Sequence, residues 1–212
     1  MTADIRTIII AAPVIIFSLT IHEYFHAWSA NKLGDPTAKD MGRLSLNPLR
    51  HLDVFGTLML FLSNFRFGWA KPVPVNPYNL RNLRRDDLII SAAGPLSNLG
   101  LAFIAGTIYR LMGGANLLSI NEAFFLMIQL LIFINVSLAF FNLLPIYPLD
   151  GSHIFRNLLP ESYGPFLDRF EQIAPMVLIF LIMSGFIFGQ SLIWMILGPF
   201  IRAVVFLFSG IG

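Results

Sequence analysis

The sequence predicts an all-α polytopic membrane protein with about five transmembrane helices, and three observations predict it. Hydrophobic residues make up 56% of the 212 and charged residues only 12%, whereas a soluble domain carries about 25% charge. Mean hydropathy is +0.73. Several apolar runs reach the roughly 20 residues that a helix needs to cross the hydrocarbon of a bilayer. The lipid bilayer is therefore an expected partner. The net charge of +2 gives no basis for nucleic-acid binding. There is no cysteine, which excludes disulfides and thiolate metal sites. The length suits one domain, so residues 1–212 are expected to form a single membrane-embedded unit.

The first span is expected at 5–30. Its apolar run is too long for a signal peptide, lacks a small-x-small cleavage site and has only Arg6 ahead of it, so it reads as a retained helix. Pro13 could kink it, as prolines in membrane helices do. A polar region follows at 31–87. Within it, 41–47 and 65–75 read as extended pieces, because the alternating prolines of Lys71-Pro-Val-Pro-Val-Asn-Pro77 remove donors and hold their predecessors extended. Between them, 54–62 is apolar but too short to span. It is expected to be re-entrant or to lie in the interface.

The second span, 88–112, carries Ser91, Gly94, Asn98, Ala102 and Ala105 along one face, and such small residues let membrane helices approach closely. A turn is expected at 113–116. The third span, 121–144, starts with Asn121 and Glu122 in a capping pattern and ends at Pro145 and Pro148. Asn135 and Asn142 share one of its faces. Residues 153–171 read as a polar connector. The apolar stretch 173–207 is too long for one helix and breaks at 185–190, giving a fourth span at 173–188 and a fifth at 191–208. In the fifth, Arg202 is expected to snorkel or face protein. The first three spans form the expected core and the last two are accessory.

Lysine and arginine fix the expected topology. Lys32, Lys39, Arg43, Arg50, Arg66, Lys71, Arg81, Arg84 and Arg85 all lie in the region 31–87, against little beyond Arg6 and Arg110 on the other side. The positive-inside rule puts this region in the cytosol and the N-terminus outside. Residues at the end of the first span and past the end of the third then meet at the cytosolic side.

Those two places carry the chemistry. Residues 22–26 read His-Glu-Tyr-Phe-His. Residues four apart share one helical face, so His22 and His26 aim their imidazoles at one point, as a zinc ion requires. Glu23 lies beside them, able to reach a water at that ion without being a ligand. Ser18, His22, His26 and Ser29 form a single polar stripe on an apolar rod. Such groups are costly inside a membrane, on the order of 2.5–3.5 kcal/mol for each charge, and coordination of an ion meets that cost. A catalytic zinc needs a third protein ligand and an open position. Asp150, just past the proline break, is the best candidate. Asp168, Glu171, Glu161, His51 and His153 are weaker ones in polar context, and Asp53, Asp86 and Asp87 are expected to be solvated. The implied reaction is metal-assisted hydrolysis with Glu23 as the base. Asn142 or Asn98 could donate to the developing oxyanion.

The chain resembles the site-2 protease family of intramembrane zinc metalloproteases. Four stretches carry the resemblance, in order: 22–26; Gly-Arg-Leu-Ser-Leu-Asn-Pro at 42–48 with Gly-Trp-Ala-Lys-Pro-Val-Pro-Val-Asn-Pro at 68–77; Ala-Gly-Pro-Leu-Ser-Asn at 93–98; and Asn-Leu-Leu-Pro-Ile-Tyr-Pro-Leu-Asp-Gly at 142–151. The resemblance implies His22, His26 and Asp150 as ligands of one Zn2+ per chain and Glu23 as base. It implies a transmembrane protein substrate, cut in or near the bilayer. It also implies a short membrane-dipping β-hairpin after the first helix, whose edge could pair with an unwound substrate through Gly68, Lys71, Pro72 and Asn76. Many relatives carry PDZ or CBS domains; this chain reads as a compact member with room for neither. A homo-oligomer is compatible with the pattern. Two rivals remain: a metal transporter, which would need polar stations through the full bilayer depth, and an inactive scaffold, which would tolerate loss of Glu23.

Overall fold

The computed structural model describes residues 5–63, 68–113, 121–189 and 191–211. Among them the regular elements are all helices, with no strand. Helix α1 (Ile5–Leu33) runs unbroken past Pro13. After a single turn, α2 (Thr37–Asp40), and a 3-10 turn at Pro48–Arg50, the apolar α3 (Val54–Leu62) follows. The long helices are α4 (Leu83–Leu111) and α5 (Glu122–Asn142). A short helix α6 (Asp150–Leu158) precedes α7 (Gly164–Ile187) and α8 (Leu192–Ser209). Among the described residues, four helices are long and apolar enough to cross a membrane: Arg6–Leu33, Leu83–Leu111, Glu122–Asn142 and Leu192–Ser209.

Several boundaries differ from expectation for identifiable reasons. Helix α4 starts at Leu83, ahead of its apolar run, because the Asn82 side chain accepts from Arg85 N and caps it. Asp86 reciprocates by accepting from Asn82 N at 2.9 Å and is buried, not solvated. The connector 153–171 is mostly helix: α6 fills its start, and α7 begins at Gly164 with Pro165 in its first turn. The expected extended piece 65–75 and turn 113–116 lie partly outside the described residues. What the described part contains is one antiparallel bridge between Leu52 and Ala70, extended by a Lys71 N to His51 O hydrogen bond of 2.8 Å.

Helix α4 is the hub, packing against α1, α5, α6 and α8. Its small-residue face does what close approach requires: Ser91, Gly94, Asn98, Ala102 and Ala105 are all buried. The apolar core joins Ala102, Ala105 and Tyr109 of α4 to Ile128, Ile132 and Val136 of α5 and Leu197, Ile201 and Val205 of α8. The other end of the α1–α4–α5 bundle encloses polar side chains instead, among them Ser18, His22, His26, Ser91, Asn98 and Asn135. Outside the bundle, α3 exposes Val54, Phe55 and Leu62 and packs on the 68–70 segment, where Gly56 and Gly68 permit backbone contact.

Candidate metal centre

His22 and His26 stand one turn apart on α1, both buried, with their Nε2 atoms 3.0 Å apart. Asp150 Oδ2 lies 3.1 Å from His22 Nε2 and 3.4 Å from His26 Nε2. Three elements build this convergence. The α1 helix sets the imidazole pair. The proline-containing segment after α5 turns the chain back, and Asp150 opens α6. Gly151 lets that turn press on α5: a Cβ there would meet Leu143 O at 2.3 Å. Helix α6 is also tied to α4. Arg84 donates to Asn157 O and to Leu159 O, the Asn157 amide donates to Asp87 Oδ2 at 2.6 Å, and His153 Nδ1 lies 3.3 Å from the same oxygen.

The donor set fits zinc on four observations. The third ligand is present without cysteine, and the three ligand atoms lie within 4.8 Å of one another. Tetrahedral bonds of about 2.0–2.1 Å set ligand atoms roughly 3.3 Å apart, close to the 3.0–3.4 Å found. Asp150 Oδ2 is buried and has no hydrogen-bond partner, so three acceptors converge where a cation would satisfy all of them. Each imidazole is held from behind, as metal-bound histidines are: His26 Nδ1 is 2.7 Å from Ile90 O, and His22 Nδ1 is 2.7 Å from Asn98 Oδ1. Gly94 forms the floor. A Cβ there would lie 2.3 Å from His26 Nε2 and 2.7 Å from His22 Nε2, so α4 can approach the site this closely only at a glycine.

Glu23 is buried beside the histidines, and its Oε2 accepts from Val73 N at 3.1 Å. Val73 belongs to the proline-rich strap 70–76, which buried polar groups hold in place. Arg43 donates to Lys71 O. Asp35 accepts from Asn76 N at 2.7 Å, Asn79 Nδ2 at 2.8 Å and Thr37 N at 3.1 Å. Burial opposes the Asp35 charge, but these donors outweigh it and hold its carboxyl below the ordinary carboxylate value. Desolvation lowers the Arg43 guanidinium's pKa, and the nearby Glu23 charge offsets part of that. Neither Asp35 nor Arg43 stands out in sequence as a site residue.

The remaining expected residues are placed as follows. Asn98 is fully buried and engaged with His22, Asn135 and Ser18. Asn142 donates to Leu138 O at 3.0 Å, at the end of α5. Lys71, Pro72 and Asn76 lie on the strap, and Gly68 lies against Leu60 and Gly56 of α3. Among the weaker ligand candidates, His51 is buried with Nε2 2.7 Å from Ser45 O, His153 faces Asp87, and Asp168 and Glu171 pair with Arg156. None of these four joins the ligand cluster.

The model for peptidase family M50 matches residues 115–185. The chain is 38% identical over 204 residues to the protein named Putative zinc metalloprotease YwhC of Bacillus subtilis, covering 93% of this chain and 90% of that one. It is 30% identical over 183 residues to Putative zinc metalloprotease Rip2 of Mycobacterium tuberculosis, covering 82% and 68%. It is 24% identical over 151 residues to Zinc metalloprotease MJ0392 of Methanocaldococcus jannaschii, covering 71% and 34%. No solved structure matches it significantly.

Proposed function

The chain belongs to peptidase family M50, and from that premise we propose how its residues divide the work of an intramembrane zinc metalloprotease. The observation that carries the proposal is the convergence of His22 Nε2, His26 Nε2 and Asp150 Oδ2 on one buried point beside the Glu23 carboxylate. His22, His26 and Asp150 hold the ion. Zinc bound there supplies a Lewis acid, which polarises the scissile carbonyl and makes a water acidic near neutral pH.

The protein's own groups do the rest. Glu23 takes a proton from the attacking water, whose oxygen adds to the peptide carbonyl carbon. As the carbon–nitrogen bond breaks, Glu23 returns that proton to the departing amine. The Val73 N–H keeps the Glu23 carboxylate oriented between these transfers. Asn142 donates to the developing oxyanion after leaving Leu138 O. Asn98 is committed to His22 and serves in this reading as a positioning residue. The surrounding helices exclude bulk water, which strengthens each of these interactions.

The substrate is a transmembrane helix, unwound near the site and laid along the strap, with Gly68, Lys71, Pro72 and Asn76 lining its path. The Leu52–Ala70 bridge supports a hairpin-like element that dips into the membrane mouth. Helix α7, whose residues 172–187 carry no charge, adds the expected span at 173–188 to the other four. The clustered lysines and arginines of 31–87 put the site toward the cytosol and the N-terminus outside. The whole chain then forms one catalytic domain, with α7 and α8 accessory.

The test is Glu23→Gln in the full-length protein, with bound zinc and cleavage of a model transmembrane substrate measured together. Zinc is expected to stay at one per chain while the cleavage rate falls about 10²–10⁴-fold. Cleavage at the wild-type rate would refute Glu23 as the base. Loss of zinc in this variant would make Glu23 a ligand.

A further inference from the structure

Four side chains from three membrane helices form one directed chain of hydrogen bonds behind the site. Ser18 Oγ donates to Val14 O at 2.8 Å. Asn135 Nδ2 donates to Ser18 Oγ and to Leu131 O, both at 2.8 Å. Asn98 Nδ2 donates to Asn135 Oδ1 at 2.7 Å and lies 3.3 Å from Ser18 O. Asn98 Oδ1 is then left 2.7 Å from His22 Nδ1. Ser18, Asn98 and Asn135 are each 0% exposed.

The direction of this chain is not arbitrary. A backbone carbonyl cannot donate and cannot be turned around. The Ser18 hydroxyl has one proton, and Val14 O takes it, so Ser18 must accept from Asn135. Turning the Asn135 amide over would set its oxygen against Leu131 O, two acceptors at 2.8 Å. Leu131 and Ser18 thus fix which end of Asn135 faces Asn98. That forces the Asn98 NH2 toward Asn135 and the Asn98 oxygen toward His22. An amide oxygen only accepts, so His22 must carry its proton on Nδ1, leaving the Nε2 lone pair free for the ion. His26 needs no such device, because Ile90 O sets its tautomer directly.

We propose that Asn135, supported by Ser18, is a positioning residue that selects the metal-binding tautomer of His22 by locking the Asn98 amide in one orientation. The inference rests on the reading of His22 as a zinc ligand, and it assigns a task to a side chain that touches neither the ion nor the substrate. Removing Asn135 takes away the short bond that holds the Asn98 NH2 and leaves only the longer 3.3 Å bond to Ser18 O to oppose a turn of the amide, and a turned amide presents NH2 to His22 Nδ1. The imidazole then moves its proton to Nε2, and zinc must displace that proton to bind. Supporting partners of this kind are worth about 10–100-fold in metal affinity.

The experiment measures zinc affinity of the full-length apo protein in detergent micelles, by competition with a chromophoric chelator, for wild type, Asn135→Leu, Asn98→Leu and the double variant. Helicity and thermal melting of each apo protein are recorded alongside. Asn135→Leu is expected to weaken zinc about 10–100-fold in wild type and to add nothing on the Asn98→Leu background. A merely structural asparagine would lower the melting temperature without this dependence on Asn98. Wild-type affinity in Asn135→Leu, or losses that multiply in the double variant, would overturn the proposal. If Asn135→Leu fails to fold, Ser18→Ala replaces it. That variant removes one of the two groups that orient Asn135 and is expected to weaken zinc by less than Asn135→Leu does, again only when Asn98 is present; no change would overturn the proposal. His22→Ala is the control: retained zinc there would refute the metal site itself, separately from the relay.

Discussion

The polar cluster between α1, α4 and α5 and the one at the α6–α7 junction contain bonds of similar length but are built differently. In the interior, Ser18, Asn98 and Asn135 are inaccessible and the bonds that link them through their side chains run in a fixed direction at 2.7–2.8 Å. At the junction, Arg156 meets Asp168 at 2.5 Å and Glu171 at 2.7 Å, yet these side chains are 39%, 59% and 32% exposed. Bond length does not separate the two regions; the alternative open to each group does. A junction carboxylate that loses Arg156 turns to water. An interior amide that loses its partner has only hydrocarbon or another protein group to turn to, so the interior cluster is where orientation can be stored.

Substitutions break or sharpen this contrast in a definite order. Asp150→Ala should have the largest effect, because it removes a ligand and not a support. Zinc affinity should fall by more than the 10–100-fold that a supporting partner is worth, with cleavage lost. Metal content of the purified protein checks this, and full zinc occupancy would put the third ligand elsewhere.

Asp35→Ala should come next. Asp35 is buried, and its loss leaves Asn76 N without its acceptor and the Asn79 amide with only the 3.4 Å bond to Thr37 Oγ1. The folded protein should lose about 1–3 kcal/mol, and the substrate KM should rise as the strap loosens, while bound zinc stays at one per chain. The Asp35 carboxyl titrates below its ordinary value in the folded state. Its contribution is therefore present in full above that ordinary value and is lost as pH falls through the folded one. An unchanged melt and KM would show that the clamp does not hold the strap.

Arg156→Ala should have the smallest effect, a change of under about 1 kcal/mol with zinc affinity and cleavage unaltered. Loss of metal in this variant would mean that the exposed junction, and not the α4 contacts, holds α6 in place.

The sequence exposed the parts of this protein that local rules govern. The spacing of His22 and His26 follows from helical geometry, and the four long apolar helices follow from their length. The small-residue face of α4 was legible for the same reason. Asp150 was readable as a ligand candidate because Pro145 and Pro148 end α5 just ahead of it. What the sequence concealed depends on contacts between distant segments. Asp35 and Arg43 resemble ordinary loop charges until the strap folds over them. Asp86 was read as solvated because its partner, the N–H of Asn82, belongs to a cap outside the apolar run. Asn98 read as a member of the small-residue face or an oxyanion donor, since no local pattern reveals that Asn135 holds its other end.

The central claim is a zinc ion bound by two imidazoles and one carboxylate, with an open position for water. Zinc K-edge X-ray absorption on the purified full-length protein tests it most directly. The account predicts four-coordinate zinc, with two imidazole nitrogens and two oxygens at about 2.0–2.1 Å. A spectrum with one imidazole, or with three or more, would contradict it.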